Sequence, residues 1–242
     1  MPLPDPLKAL NGAVSLLTTV PTPQFYPDEP GRAYAFFPLV GVLIGLALWG
    51  AIALLQLFFP ADVAAFGGLA LWVLLTGGLH MDGFGDSCDG LFATVEPARR
   101  LEIMKDPRTG TWAVLGLVLL LLGKWNALRF APLAALPLVT GMARWVMVLA
   151  AGNFPYARQT GMGAYFSGGL GRVQLLTATV TALMLVAVYS RYAIAMGIVL
   201  VTVSIVAGWA SRRLGGGLTG DVYGALCELT ELLLLLAIST QN

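Results

Sequence analysis

The sequence is poor in charge. Only 11% of its 242 residues are Asp, Glu, Lys or Arg, less than half of the roughly 25% usual in soluble domains. It has two cysteines, Cys88 and Cys227, and one histidine, His80. That is too little for a disulfide framework or for a zinc site built on thiolate and imidazole. The net charge is +1, so no nucleic-acid partner is indicated. Residues Met1 to Gly12 carry three prolines and an Asp in place of the basic-then-apolar pattern of a cleavable signal. Apolar residues, by contrast, make up 57% of the chain, and the mean hydropathy is +0.80. Disordered, collagen-like, coiled-coil and ordinary soluble readings all fail on this composition.

Long apolar runs recur from end to end. A bilayer core of about 30 Å takes roughly 20 helical residues, and seven stretches qualify: about 36–59, 63–79, 111–128, 131–151, 173–190, 193–210 and 222–239. The expected fold is an all-α polytopic transmembrane bundle of about seven spans, one domain over residues 1–242. Leu7 to Val20 is apolar but short, and reads as an interfacial or re-entrant helix. Gly77-Gly78 is expected to end the second span. Gly41 and Gly45 form a GxxxG pair, a helix-packing signal.

Basic residues are placed unevenly. With the N-terminus in the cytoplasm, ten fall on that side: Lys8, Arg32, Arg99, Arg100, Lys105, Arg108, Arg158, Arg172, Arg212 and Arg213. Only Arg129 and Arg191 fall outside. This positive-inside bias puts every long polar connection on the cytoplasmic face of the membrane.

The stretch TGGLHMDGFGDSCDGLF (76–92) carries the chemistry. Asp82, Asp86 and Asp89 are spaced i, i+4, i+7, which on a helix is one face. Three carboxylates on one face repel, and a hard divalent cation is the economical compensation. His80 reads as a polar boundary residue. The next segment, RRLEIMKDPRTGT, places Lys105, Asp106 and Arg108 just before the third span; cations beside an acidic metal site suit phosphate. Arg99 and Arg100 read as lipid-headgroup anchors.

Three ionisable groups lie within spans, where charge is costly and is functional or paired. Arg144 lies roughly 10 Å, Glu228 roughly 9 Å and Glu231 roughly 13 Å from the cytoplasmic ends of their helices. Asp221, Glu228 and Glu231 repeat a one-face pattern, able either to complete the metal site or to pair with Arg144. Lys124, near the outer end of its span, is expected to snorkel. The loop 152–172, with Tyr156, Arg158, Tyr165 and Phe166 among glycines, suits either a substrate cover or an interfacial belt.

Residue logic thus reaches a membrane bundle with an acid-bound metal and nearby cations, suited to phosphoryl-type transfer. The run DGxxDxxDG resembles, distantly, the motif of CDP-alcohol phosphotransferases. A closer resemblance covers nearly the whole chain. LTGGLHMDGFGDSCDGLF, RRLEIMKDPRTGT, YARQTGMG, GGLTGDVYGA with a following ELTE, and FPLVGVLIG at 37–45 are similar to the cobalamin synthase (adenosylcobinamide-GDP ribazoletransferase) family.

The resemblance implies a Mg²⁺-dependent transferase of the bacterial inner membrane. A ribose hydroxyl of α-ribazole, or of its 5′-phosphate, attacks the phosphate joining adenosylcobinamide to GMP. It implies metal binding by Asp82 and Asp86, and metal binding or general-base work by Asp89. Asp221 and Glu228 would complete the site with Arg144 as orienter. Lys105, Asp106, Arg108 and Arg158 would hold substrate, Lys105 and Arg108 on the GMP phosphates. The partners expected are these two substrates and membrane lipids. Competing readings are a lipid-headgroup phosphotransferase and a secondary transporter coupling ions through Arg144, Glu228 and Glu231.

Overall fold

The computed structural model describes residues 5–23, 29–158 and 169–240. Among these residues ten α-helices follow in order: α1 (Asp5–Leu17), α2 (Phe37–Leu55), α3 (Ala61–Thr76), α4 (Leu79–Phe92), α5 (Pro97–Ile103), α6 (Thr111–Phe130), α7 (Leu136–Asn153), α8 (Arg172–Val188), α9 (Ala193–Arg213) and α10 (Gly220–Ser239). Short 3-10 turns lead into α2, α7 and α9. Among the described residues the sole β feature is a single parallel bridge between Tyr156 and Leu218. The chain is therefore an all-α bundle. Seven helices (α2, α3, α6, α7, α8, α9 and α10) coincide with the seven apolar stretches. Five of them are long and apolar enough to cross a membrane alone, counting their 3-10 lead-ins. α3 and α8 are shorter, with 16 and 17 residues.

α7 is the axis of the bundle. Of its apolar window 78% is enclosed by protein, against 28% for α6, so α7 faces neighbours all round while α6 presents one side outward. α2 packs on α7 through Gly41 and Gly45. A Cβ on Gly41 would fall 2.8 Å from Gly141 Cα, and one on Gly45 would fall 2.5 Å from Leu136 O. The GxxxG pair is therefore a backbone-to-backbone contact, where van der Waals packing and close approach hold helices together in the absence of a hydrophobic drive. Gly45→Leu should prevent this approach and strip the protein of its single sharp peak in detergent gel filtration. Gly50→Leu is the matched control: it lies on the same helix, with nothing near its missing Cβ.

The α3–α4 junction positions the site. Gly77 and Gly78 both adopt left-handed backbone, φ 62° and 66°, which costs an L side chain roughly 1–2 kcal/mol. The two helices meet at 89°. α4 has 14 residues, about 21 Å of helix, and turns across the direction of α3. Thr19, just past α1, donates its N–H to Leu75 O at 2.8 Å, which pins the short N-terminal helix against this break. At the far end of the bundle, Arg129 of α6 pairs with Asp62 of α3 at 2.5 Å.

Candidate active site

Four chain segments meet at one end of the bundle. The first is α4, carrying Asp82, Asp86 and Asp89. Its C-terminal carbonyls are held by two guanidinium groups. Arg100 donates to Gly90 O and Leu91 O at 3.0 and 2.9 Å, and to Ala93 O. Arg213 donates to Leu91 O at 2.8 Å and to Ala93 O at 3.1 Å. Cations suit the negative pole of a helix. Arg100 is buried, so it is a helix-capping residue and not the lipid anchor its position in the sequence suggested. The fold turns its segment inward against α4.

The second segment is the α5–α6 loop. Asp89 fixes it: its two carboxylate oxygens accept from Gly110 N at 2.6 Å and Ala113 N at 2.9 Å. A carboxylate at the start of α6 satisfies backbone donors that no helical carbonyl can reach. Asp106 accepts from the Arg108 backbone N–H, Nε and Nη2 at 3.0, 2.9 and 2.6 Å. These bonds hold the Asp106 carboxyl well below the usual carboxylate range. Arg108 is thus already paired, while Lys105 is exposed and has no ion-pair partner among the described residues.

The third and fourth segments are joined to each other. Ala157 donates its N–H to Leu218 O at 2.8 Å, and Leu218 donates to Pro155 O at 2.9 Å. Gly217 allows this: a Cβ there would lie 2.7 Å from Pro155 O. The bridge sets Arg158 beside Asp221, with Nη2 and Oδ2 2.8 Å apart. Asp221 sits in the first turn of α10, which crosses α4 closely. A Cβ on Gly83 would fall 2.9 Å from Asp221 Cα, and one on Gly224 would fall 3.2 Å from His80 Cα. Two facing glycines therefore bring the acids of α4 and α10 together.

Asp82 lines two cavities. One, about 350 Å³, is walled by Asp86, Lys105, Asp106, Arg108 and Thr109. The other, about 230 Å³, is walled by Tyr34, Phe37, His80, Tyr156, Arg158, Asp221 and Tyr223. Burial, then the charges of Asp221 and Asp82, push the half-buried Asp86 carboxyl up to about 7.

Two residues expected at the site lie elsewhere. Glu228 and Arg144 belong to a sealed cluster deeper in the bundle. Lys124 of α6 donates to both Glu228 and Glu231 of α10, and Arg144 of α7 donates to Glu231. The side chains of Lys124, Arg144 and Glu231 are 0% exposed. Lys124 also lies over the Trp72 ring, 4.6 Å from its centroid. It does not snorkel, because two carboxylates inside the bundle outcompete the distant headgroups. Glu228 is paired with Lys124, and neither Glu228 nor Arg144 lines either of the two cavities. Of the loop 152–172, the stretch 159–168 lies outside the described residues.

The sequence profile of the family described as cobalamin-5-phosphate synthase matches residues 9–239. An adenosylcobinamide-GDP ribazoletransferase of Deinococcus radiodurans is 40% identical, over 94% of this chain and 84% of its own. Proteins of the same name from Desulfitobacterium hafniense and Klebsiella pneumoniae are 38% and 36% identical, covering 93% and 96% of this chain and 93% and 99% of their own. No solved structure matches. With 231 of 242 residues inside the family profile and full-length relatives at this identity, the chain belongs to the cobalamin-5-phosphate synthase family.

Proposed function

We propose that the chain transfers adenosylcobinamide phosphate from adenosylcobinamide-GDP to α-ribazole or its 5′-phosphate, releasing GMP. The observation that carries this reading is Asp82 in the wall between a cationic cavity and an aromatic one. Two different substrates can then meet at one carboxylate face. The ribose hydroxyl oxygen bonds to the cobinamide-linked phosphorus as the bond to the GMP oxygen breaks. The hydroxyl proton passes to a carboxylate of the Asp82–Asp86–Asp221 face. Lys105 meets the phosphate of the departing GMP. Arg108 joins it by exchanging Asp106 for phosphate, a bidentate partner of the same kind. Asp89, by holding the first turn of α6, keeps both cations in register with the acids.

The acid face fits a hard cation in a particular way. Among the described residues no three carboxylate, thiolate or imidazole groups converge on one point, so there is no closed cage. Mg²⁺ does not need one: it takes one or two carboxylates and fills its remaining positions with water and substrate phosphate oxygens. One or two of Asp82, Asp86 and Asp221 would hold it, on a face where burial and then the neighbouring carboxylates raise Asp86. When bound, the ion supplies neutralisation of the charge on the reacting phosphates. We place the site at the cytoplasmic face of the bacterial inner membrane, where the positive-inside bias puts the α4, α5–α6 and α9–α10 connections. A transport mechanism is disfavoured because its candidate ion-coupling groups are paired to each other and sealed from solvent.

Purified protein in detergent, given both substrates and Mg²⁺, should form GMP in step with corrinoid product, and EDTA should stop both. CMP release with a lipid product would move the reading to headgroup transfer. Solute uptake into proteoliposomes without nucleotide chemistry would move it to transport.

A further inference from the structure

We infer that the smaller cavity, between α1, the 3-10 turn before α2, α4 and α10, is the seat of the acceptor's planar bicyclic base, with His80 as its polar specificity contact. This rests on the transferase reading and adds to it which substrate goes where.

The walls argue for a flat aromatic ligand. Two aromatic pairs lie within the same group of lining residues. The rings of Tyr34 and Phe37 are 4.6 Å apart, and those of Tyr156 and Tyr223 are 6.4 Å apart. Aromatic side chains offer a base its π-face whatever its edge pattern. The volume, about 230 Å³, exceeds the cavity of about 150 Å³ that accepts a single benzene ring. It suits a two-ring base and is too small for a corrin macrocycle. The charge argues the same way. Among the described residues the lining holds a single cation, Arg158, tied to Asp221 beside the acids, fewer than a diphosphate calls for. The other cavity has Lys105.

His80 is the observation that points to a ligand. It is 3% exposed and lines the cavity. Its Nδ1 lies 3.6 Å from Cys227 Sγ. Its Nε2 is buried and has no hydrogen-bond partner among the described residues. A buried polar atom without a partner is costly, and a ring nitrogen of the base satisfies it. Asp82 and Asp221 line the same cavity. A nucleoside with its base against His80 and the tyrosines therefore presents its ribose hydroxyl to the acid face.

The test separates this inference from the function reading. Wild-type protein, His80→Ala and Tyr156→Ala are purified in detergent. Each is titrated calorimetrically with a benzimidazole ribonucleoside alone and with GMP alone, and then assayed for GMP release. The nucleoside should bind wild type and bind each variant about tenfold more weakly. KM for the acceptor should rise by a similar factor, while GMP affinity and donor KM stay unchanged. Tyr156 is only partly buried, so its variant serves if His80→Ala fails to accumulate. Unchanged nucleoside affinity in the variants, or a rise in donor KM instead, overturns the seat while leaving the transferase reading intact. Absence of GMP release from wild type that binds the nucleoside as described overturns the reaction and not the seat.

Discussion

Asp82→Asn lowers GMP release by about three orders of magnitude, with the protein still reaching the membrane and eluting as wild type does. Asp82 is exposed and forms part of both cavities, so asparagine is accommodated without a packing cost. On the proposed reading it removes an anionic metal ligand where the two cavities adjoin. Loss of several kcal/mol of charge stabilisation at a reacting phosphate is worth roughly a factor of ten per 1.4 kcal/mol. The check is single-turnover GMP formation at saturating Mg²⁺, beside the apparent Mg²⁺ affinity. Turnover within tenfold of wild type would remove Asp82 from the metal-binding face.

Glu231→Gln has the largest effect on stability. Its carboxylate receives both Lys124 and Arg144. Around it the buried cluster holds two cations and two anions and is neutral. Glutamine leaves two cations facing Glu228 alone, in a cluster sealed from solvent. Breaking a buried pair by removing one partner costs about 3–5 kcal/mol, on the order of 10 °C in melting temperature for a chain of this size. The double replacement Arg144→Met with Glu231→Met removes one charge of each sign and should recover much of that loss, since apolar residues of similar volume replace buried pairs at little cost. Apparent melting in detergent compares the two variants. A Glu231→Gln protein that melts as wild type does but has lost GMP release would make the cluster part of the chemistry.

The two predictions separate regions that look alike along the chain. Asp221, Glu228 and Glu231 share one helix and one spacing rule, yet Asp221 sits with the acids of α4 while the glutamates sit in the core. Two turns of α10, about 11 Å, divide the active-site end from the structural centre. The same holds for the basic residues: Arg100 and Lys105 are five positions apart, and one is a buried cap while the other is exposed in a cavity wall.

Features set by local periodicity and solvent preference were legible from the residues alone. Apolar length located seven helices. The i, i+4, i+7 spacing put three aspartates on one helical face. Gly77-Gly78 marked the break, and Gly41 and Gly45 marked a close helix contact. Each of these signals sits within a single chain segment, so reading it requires no knowledge of the neighbours. Tertiary structure decided how each charge is used. Lys124 and Glu231 are 107 positions apart, and nothing within either segment encodes their meeting. Asp89 and Ala113, Arg213 and Leu91, and Arg158 and Asp221 are likewise brought together by helix crossings. A charged side chain is committed by the partner nearest to it in space, because electrostatic and hydrogen-bond energies fall steeply with distance while sequence separation has no bearing on them.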